Sequence, residues 1–331
     1  MGERDNLGIM WLDGGEVLVW SPIGRGLEGM PVGSLAVDAS GALYAGRIDY
    51  EGAGVYALPA GGRDWAPRSG GLSPRGGFSV DLLPWPDGTL GAQEFVPPDA
   101  RAVYTLDAGA GRWLEAGGDR TGWRTAWAAT PAGLVVAGAG GLSLVGRSRR
   151  VALPAPGGLK VDALSVGPTG AIFVIHAERQ ALLRSTPGAV SAPEAAAFAA
   201  LPDPGVDRRN YLSLVEAPGG GLFLSNGVNL AEPGPVEGRV FCLQPGASAW
   251  VDVTGNLVTD GADWRVQVSP DGVVYAWAYE LGVWTRRPEA GRWREDNLGL
   301  DGAARTVYAI LDVNGRPVLA TGAGVYTRPG W

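Results

Sequence analysis

The chain has 331 residues, of which 46% are hydrophobic, and a formal net charge of -7 at pH 7. The negative charge argues against a nucleic-acid partner and an anionic membrane surface, because binding to either needs clustered cations. The only cysteine is Cys242 and the only histidine is His176, which excludes an intramolecular disulfide and a site built from several Cys and His ligands. We therefore expect neither a metal nor another cofactor.

Hydropathy and the glycine and proline content add further expectations. The N-terminal sequence MGERDNLGIMWLDGG lacks a basic stretch followed by an unbroken apolar stretch, and no segment reaches the roughly 18 apolar residues of a membrane span. We expect a soluble protein, cytoplasmic or secreted with its signal removed, because no signal peptide is visible in this sequence. The 54 glycines and 25 prolines follow no G-X-Y period and indicate many short strands joined by turns.

A short turn that contains glycine and stands between two apolar stretches recurs seven times. It lies at residues 39–41, 86–88, 131–133, 168–170, 218–220, 270–272 and 313–315. The flanks alternate in hydrophobicity, as in RVQVS-PDG-VVYAW, so each turn predicts a hairpin of two strands, A and B. A third strand, C, is predicted at 54–58, 102–106, 239–243, 282–286 and 324–328.

A glycine-rich turn then leads to a fourth strand, D, which holds a tryptophan at Trp65, Trp113, Trp250 and Trp293. Four strands in about 45 residues is the size of a propeller blade. The C-terminal repeat has only three strands, and Trp20 in EVLVWSPIGRGLEG stands in the register of Trp293 in GRWREDNLGLDG.

The sequence therefore predicts an all-β fold: a seven-bladed β-propeller with four antiparallel strands per blade, closed by the N-terminal strand, which completes the last blade. We expect a single domain over residues 1–331. Its predicted blades are 34–72, 78–118, 124–158, 161–203, 210–257, 264–300, and 304–331 together with 16–24.

The turns before the tryptophans resemble the Asp boxes, S/T-x-D-x-G-x-x-W, of sialidase-like propellers with bacterial neuraminidase repeats. TLDAGAGRW keeps Thr105, Asp107, Gly109 and Trp113 with one extra residue, whereas LPAGGRDW has Ala60 in place of the aspartate. The stretch WREDNLGLDGAARTVYAILDVNGRPVLATGAGVY is also similar to blades of two-component-regulator propellers. This resemblance implies the fold and places the box between strands C and D, away from the active face, but it implies no activity.

In a propeller the B-to-C loops and the D-to-A connections share the face that carries the ligand site. Acidic residues recur in the predicted B-to-C loops, and glycoside hydrolysis needs two carboxylates around such a funnel, with histidine as a further general base. The candidate catalytic residues are Asp49, Glu94, His176, Glu178, Glu232 and Glu280, with Glu51 beside them. The alternative is that the carboxylates are solvated loop charges and the histidine is a polar group at a strand end.

Arginines gather on the predicted D-to-A connections, just before the A strands that line the central channel. Converging guanidinium groups suit an anionic or hydroxyl-rich ligand. The candidate ligand-binding arginines are Arg124, Arg209, Arg265 and Arg305, and Arg75, Arg120 and Arg208 occupy similar positions.

Aromatic residues are further ligand-binding candidates. Trp123 and Trp264 lie on D-to-A connections, where an exposed indole stacks on a sugar ring; the alternative is packing in the core. The resemblance to sialidases implies an arginine triad and a tyrosine nucleophile, for which Tyr211 and Tyr279 are candidates, although no F/Y-R-I-P segment precedes the first blade. The alanine-rich segment at 192–201 predicts a helix in the fourth blade.

Two classes of function remain open. The first is a carbohydrate-directed propeller that binds a glycan or acts as a glycosidase or lyase. The second is a non-catalytic scaffold for protein interaction or assembly, and the sequence leaves open whether the protein is an enzyme. The expected partners are a glycan, a small anionic ligand or a protein, bound by a monomer.

Overall fold

The computed structural model describes residues 19–49, 54–72, 79–85, 88–96, 100–115, 126–138, 141–146, 150–155, 161–176, 181–206, 210–227, 237–287 and 290–328. Within these ranges, short strands form seven separate antiparallel sheets of four strands each. Each sheet is one blade.

The strands follow one another in space as in sequence within the first six blades. Blade 1 contains β2 (Val32–Val37), β3 (Leu43–Arg47), β4 (Val55–Leu58) and β5 (Ala66–Pro67). Blade 2 contains β6 (Ser79–Pro84), β7 (Leu90–Val96), β8 (Ala100–Asp107) and β9 (Arg112–Glu115). Blade 3 contains β10 (Trp127–Thr130), β11 (Gly133–Gly138), β12 (Gly141–Val145) and β13 (Arg150–Ala152).

Blade 4 contains β14 (Val161–Val166), β15 (Ile172–His176), β16 (Ala181–Ser185) and β17 (Phe198–Ala200). Blade 5 contains β18 (Tyr211–Glu216), β19 (Leu222–Asn226), β20 (Arg239–Leu243) and β21 (Val251–Asp252). Blade 6 contains β22 (Arg265–Val268), β23 (Val274–Ala278), β24 (Gly282–Arg286) and β25 (Arg294–Glu295). Blade 7 contains β26 (Val307–Val313), β27 (Arg316–Thr321), β28 (Gly324–Thr327) and, as its fourth strand, β1 (Ser21–Pro22).

The N-terminal strand closes the ring. β1 pairs antiparallel with β28, with Ser21 opposite Thr327 and Pro22 opposite Tyr326. This pairing covers the edge that β28 would otherwise expose. The predicted seven-bladed, all-β propeller with N-terminal closure is confirmed.

The helix predicted at 192–201 is wrong. A short 3-10 helix, η1 (Pro193–Ala195), is followed by β17, which pairs with β16. Alanine favours a helix by only a few tenths of a kcal/mol per residue over most other residues. Strand pairing and the burial of Ala196 and Phe198 against the core of blades 3 and 4 outweigh that preference. Another 3-10 helix, η2 (Gly302–Arg305), precedes β26, and in the described ranges no helix is long and apolar enough to cross a membrane.

The apolar core lies between the blades. Among the described residues, six clusters of buried side chains each join two neighbouring blades. Between blades 1 and 2, for example, Tyr44 and Val55 pack with Leu82, Leu90 and Trp113. Because successive side chains of a strand point to opposite faces, each blade packs against both of its neighbours.

Serine hydroxyls join neighbouring inner strands. Ser34 Oγ of blade 1 donates to the carbonyl of Val80 at 2.6 Å and accepts from the N–H of Leu82 in blade 2 at 3.2 Å. Ser213 Oγ of blade 5 accepts from the N–H of Val266 in blade 6 at 3.3 Å. A serine side chain of one A strand is thereby hydrogen-bonded to the backbone of the next A strand.

A tryptophan at the start of the fourth strand ties each of five blades to the blade before it. Its indole Nε1–H donates to a backbone carbonyl in or beyond the end of the preceding blade. The bonds run from Trp20 to Asp296 (2.8 Å), from Trp65 to Ile23 (2.6 Å), from Trp113 to Arg68 (2.6 Å), from Trp250 to Pro202 (2.8 Å) and from Trp293 to Val253 (2.8 Å). We call these five residues the tryptophan belt.

The segment that follows a belt tryptophan receives the tryptophan of the next blade. In WAPRSGGL (65–72), the carbonyl of Arg68 accepts the indole of Trp113 and the carbonyl of Gly70 accepts its backbone N–H at 2.7 Å. Gly71 has a φ of +96°, and a Cβ there would lie 2.1 Å from the carbonyl oxygen of Trp113. Both the backbone conformation and the close approach require glycine. The related segments are WSPIGRGL (20–27), WVDVTGNL (250–257) and WREDNLGL (293–300).

The closing seam between blades 6 and 7 also carries a buried ion pair. Arg328 pairs with Asp296, and its guanidinium lies 4.8 Å from the ring centre of Trp20. Burial raises the pKa of the Asp296 carboxyl, and the charge of Arg328 opposes this shift. The short strand β1 is therefore held by side chains as well as by its two ladder pairs.

We predict that the belt hydrogen bond and the belt ring contribute separately to stability. Trp293→Phe removes the bond to Val253 and should cost about 1 kcal/mol. Trp293→Ala also removes the buried ring and should cost about 3–5 kcal/mol. Urea unfolding measures both, and Val251→Ala is the control because this D-strand side chain is 58% exposed. A loss below about 1 kcal/mol for Trp293→Ala would contradict a core role for this residue.

We predict that Gly299, which stands in WREDNLGL at the position of Gly71 in WAPRSGGL, is needed for more than its left-handed conformation. Gly299 (φ +89°) would place a Cβ 2.2 Å from the carbonyl oxygen of Trp20, whereas Gly315 (φ +79°) has open space around the same position. Gly315→Ala should therefore cost about 1 kcal/mol through its backbone alone. Gly299→Ala should cost more than about 3 kcal/mol, because the closing seam must also shift. Equal losses in thermal unfolding would show that the contact with Trp20 is unimportant.

Candidate functional site

The B-to-C loops and the D-to-A connections lie at the same end of the blades, because strand direction alternates in each antiparallel sheet. We call this end the upper face, and the end with the A-to-B turns the lower face. Contacts between A strands of neighbouring blades join β26, β2 and β6 on one side of the ring and β10, β14, β18 and β22 on the other. Every candidate residue that the structure describes belongs to an upper-face loop or to a strand end near it.

In blade 2 the candidate carboxylate is enclosed. Glu94 in β7 has no exposed surface and accepts a hydrogen bond from the hydroxyl of Tyr104 at 3.1 Å. Tyr104 packs in the cluster between blades 1 and 2, so the pair belongs to that seam. A ligand in a central funnel does not reach Glu94 without a movement of these blades.

Blades 1 and 4 place their candidates at the upper ends of B strands. Asp49 follows β3 and forms an ion pair with Arg47, with about a quarter of the aspartate side chain exposed. His176 is the last residue of β15, opposite Val161 and Ala181, and is 6% exposed. The imidazole is therefore buried at the strand end.

Blade 6 presents its candidates most openly. Tyr279 and Glu280 form the turn between β23 and β24, and the tyrosine side chain is 65% exposed. Glu280 has a left-handed backbone with a φ of 60°, which is uncommon for a residue with a side chain. The turn thus holds an aromatic ring next to a carboxylate on the upper face.

The two candidate ligand-binding arginines that the structure describes differ in their surroundings. Arg265 begins β22, opposite Trp277, and is exposed. Arg305 ends η2, donates from Nε to the carbonyl of Leu300 at 3.1 Å, and has Nη2 4.0 Å from a carboxylate oxygen of Glu295 in the outermost strand of blade 6. Arg305 is thus directed toward the blade rim.

Two aromatic candidates are buried. Trp264 has no exposed surface, donates from Nε1 to the carbonyl of Val258 at 2.7 Å and packs between blades 5 and 6. Tyr211, at the start of β18, is 2% exposed. For Trp264 the packing alternative is the one that this geometry supports, because neither face of its ring is open.

Several candidates lie outside the described residues. They are Glu51, Glu178, Glu232, Arg124, Arg209, Arg75, Arg120, Arg208 and Trp123. Their part in a site stays a prediction.

The wall of the central channel contains a cavity of about 130 Å³ between blades 4 and 5. Its lining includes Ala163, Phe173, Leu212 and Val266, with the hydroxyls of Ser165 and Ser213. These hydroxyls already bond to the backbone of the next blade. On this measure about 10–15 Å³ is enough to admit one water molecule, so the space is accessible to water.

Sequence reasoning missed Asn297, which is buried beneath the Tyr279 turn. It lies in WREDNLGL at the position of Ser69 in WAPRSGGL and Thr254 in WVDVTGNL. The change from a hydroxyl to an amide at this repeated position was the signal that could have identified it.

The chain is similar in fold to solved β-propellers. The extracellular domain of the putative one-component system BT4673 from B. thetaiotaomicron matches with a TM-score of 0.66 and 14% identity, over 93% of this chain and 39% of that chain. A catalytically inactive virginiamycin B lyase from Staphylococcus aureus, with quinupristin, matches with a TM-score of 0.68 and 9% identity, over 94% and 99%. YCF48 bound to D1 peptide matches with a TM-score of 0.64 and 12% identity, over 94% of each chain.

These identities are low, so the likeness shows the fold alone. The chain spans about 39% of the length of the BT4673 domain structure. No family model matches the chain, and no curated protein matches it by sequence.

We predict that the two aromatic candidates Trp264 and Tyr279 differ strongly in their contribution to stability. Trp264→Ala should cost about 3–5 kcal/mol, because it empties a buried site and leaves the Val258 carbonyl without this donor. Tyr279→Ala should change the free energy of unfolding by less than about 0.5 kcal/mol, because the ring is mostly in solvent. Urea unfolding of both variants tests this, and a small loss for Trp264→Ala would argue against its core role.

Proposed function

We propose that the protein is a carbohydrate-directed propeller that binds a glycan on its upper face. The observation that carries this proposal is the turn of blade 6, which exposes 65% of Tyr279 beside the carboxylate of Glu280. An aromatic face packs against the C–H groups of a sugar ring, while a carboxylate accepts hydrogen bonds from its hydroxyls. The exposed Arg265 of the same blade supplies donors for hydroxyl or acidic groups.

We also propose that the chain is a propeller of the Asp-box type. The turn between β8 and β9 is the best match in geometry: Asp107 Oδ1 accepts from the N–H of Ala110 at 3.0 Å, and its carbonyl accepts from the N–H of Gly111 at 2.8 Å. The aspartate side chain therefore organises the turn that leads to Trp113. This support concerns the fold, and the function rests on the upper face.

Binding is better supported than hydrolysis or elimination. A glycosidase needs two carboxyl groups about 5 to 10 Å apart, both accessible to substrate. Of the described candidates, Glu94 is enclosed and Asp49 is ion-paired, whereas Glu280 is open. A catalytic form of the function would draw on Glu178, Glu232 or His176, which remain part of the proposal.

We predict that a glycan array detects binding by the wild-type protein and that calorimetry on the best ligand places the site on blade 6. Tyr279→Ala should weaken binding at least about tenfold, the usual effect of losing a central aromatic contact. Glu280→Gln and Arg265→Ala should weaken it less, because each removes a polar contact.

The matched control is Arg316→Ala, an exposed arginine at a lower-face turn, which should bind like the wild type. Turnover of the same glycan is followed separately. Lost turnover with retained binding in Glu178→Gln would identify an enzyme. A wild-type protein that binds no glycan would contradict the proposal.

A protein partner is the second candidate, and one observation favours it. Val258 and Leu298, in the connections on either side of blade 6, are 46% and 45% exposed. Exposed aliphatic side chains on the upper face suit an extended peptide, and the similar propeller YCF48 is bound to D1 peptide. Val258→Ser and Leu298→Ser should leave glycan affinity unchanged and weaken the binding of an extended peptide partner.

A further inference from the structure

The turn that carries Tyr279 and Glu280 has an unusual backbone. Ala278 and Gly282 form the last pair of the β23–β24 ladder, and the N–H of Leu281 donates to the carbonyl of Ala278 at 3.2 Å. Glu280 and Gly282 both have positive φ values, 60° and 70°. A left-handed residue with a side chain is unfavourable without support from its surroundings.

That support comes from Asn297, in the connection that leaves blade 6. Its Oδ1 accepts from the N–H of Val283 at 2.7 Å. Its Nδ2 donates to the carbonyl of Leu281 at 3.1 Å and to Oε1 of Glu295 at 2.9 Å. Asn297 is 7% exposed, so these bonds are largely shielded from water.

Gly282 allows this approach. A Cβ at residue 282 would lie 1.9 Å from Oδ1 of Asn297. Arg305 extends the same network, because its Nη2 lies 4.0 Å from Glu295. The base of the turn is thus joined to two segments that follow it in the chain.

Blades 1 and 5 show which of these bonds they share with blade 6. Ser69 Oγ accepts from the N–H of Val55 at 2.9 Å, and Thr254 Oγ1 accepts from the N–H of Val240 at 2.9 Å. These hydroxyls reproduce the acceptor role of Asn297, and their single hydrogens point back to the carbonyls of the same valines. The bond to the turn carbonyl needs the longer amide.

We propose that Asn297 is the positioning residue of the ligand-binding turn, and this inference rests on the proposed function. By fixing the carbonyl of Leu281 and the N–H of Val283, it holds Tyr279 and Glu280 in one arrangement before a glycan binds. A preordered turn loses less conformational entropy on binding, which increases affinity without adding a contact.

The test replaces Asn297 with the residue that another blade uses. Asn297→Thr keeps an acceptor for the N–H of Val283, as Thr254 does in blade 5, and removes the donor to Leu281. We expect the dissociation constant of the best glycan to rise about tenfold, which corresponds to about 1.4 kcal/mol. The N–H of Leu281 is bonded to the carbonyl of Ala278, so its exchange with solvent reports opening of the turn. By NMR, this exchange should become faster in Asn297→Thr because the turn loses the bond at the Leu281 carbonyl, while the Val283 amide stays protected.

Two further variants separate positioning from general destabilisation. Asn297→Ala also removes the acceptor of the Val283 N–H, so the Val283 amide should lose its protection as well. Ser69→Ala removes the equivalent acceptor in blade 1, so it should lower the melting temperature and leave glycan affinity unchanged. If Ser69→Ala weakens binding as much as Asn297→Thr does, a positioning role is overturned.

The remaining outcomes are also decisive. Wild-type affinity and wild-type exchange of Leu281 in Asn297→Thr would overturn the inference while the proposed function stands. If the wild-type protein binds no glycan, the proposed function fails. The exchange of Leu281 then decides alone whether Asn297 fixes the turn, and unchanged exchange overturns that as well.

Discussion

The hydrogen bond from a tryptophan indole to the end of the preceding blade is the interaction on which the ring depends. The outermost strands β1, β5, β21 and β25 have two residues each, too few for a ladder that holds a blade edge by itself. The belt tryptophans supply what these strands lack. Four of them are buried in the seam and Trp250 is partly buried, and each uses its one polar atom to satisfy a carbonyl where the preceding chain leaves its sheet.

This arrangement links neighbouring repeats in one direction. A segment such as WREDNLGL begins with a donor to blade 5 and continues with acceptors for Trp20 of blade 7. The last link lies at the closing seam, where Asp296, Arg328 and Trp20 meet. The ring is therefore closed by the same contact that joins its inner repeats, strengthened by an ion pair.

The fold was predictable from sequence because its signals are local and repeated, whereas candidate site residues could be named but not sorted into buried and open ones. Glycine turns and tryptophans recur at blade spacing, and each has one structural use. The direction of a loop side chain depends on its neighbours in three dimensions: Trp264 turns into the seam of blades 5 and 6, and Arg305 turns toward Glu295. Helix propensity failed at 192–201 for a related reason, since pairing with β16 depends on tertiary contacts.

At Glu280, local backbone preference and tertiary contacts both matter. Glycine or asparagine would adopt its φ of 60° more easily, so local preference does not account for a glutamate there. The chain keeps this side chain beside an exposed tyrosine and stabilises the turn from below with Asn297. Unfavourable backbone conformations that are supported by their surroundings cluster at functional sites. The belt keeps the blades in place, and blade 6 uses that rigidity to hold a polar and aromatic pair that we expect to contribute little to the stability of the fold.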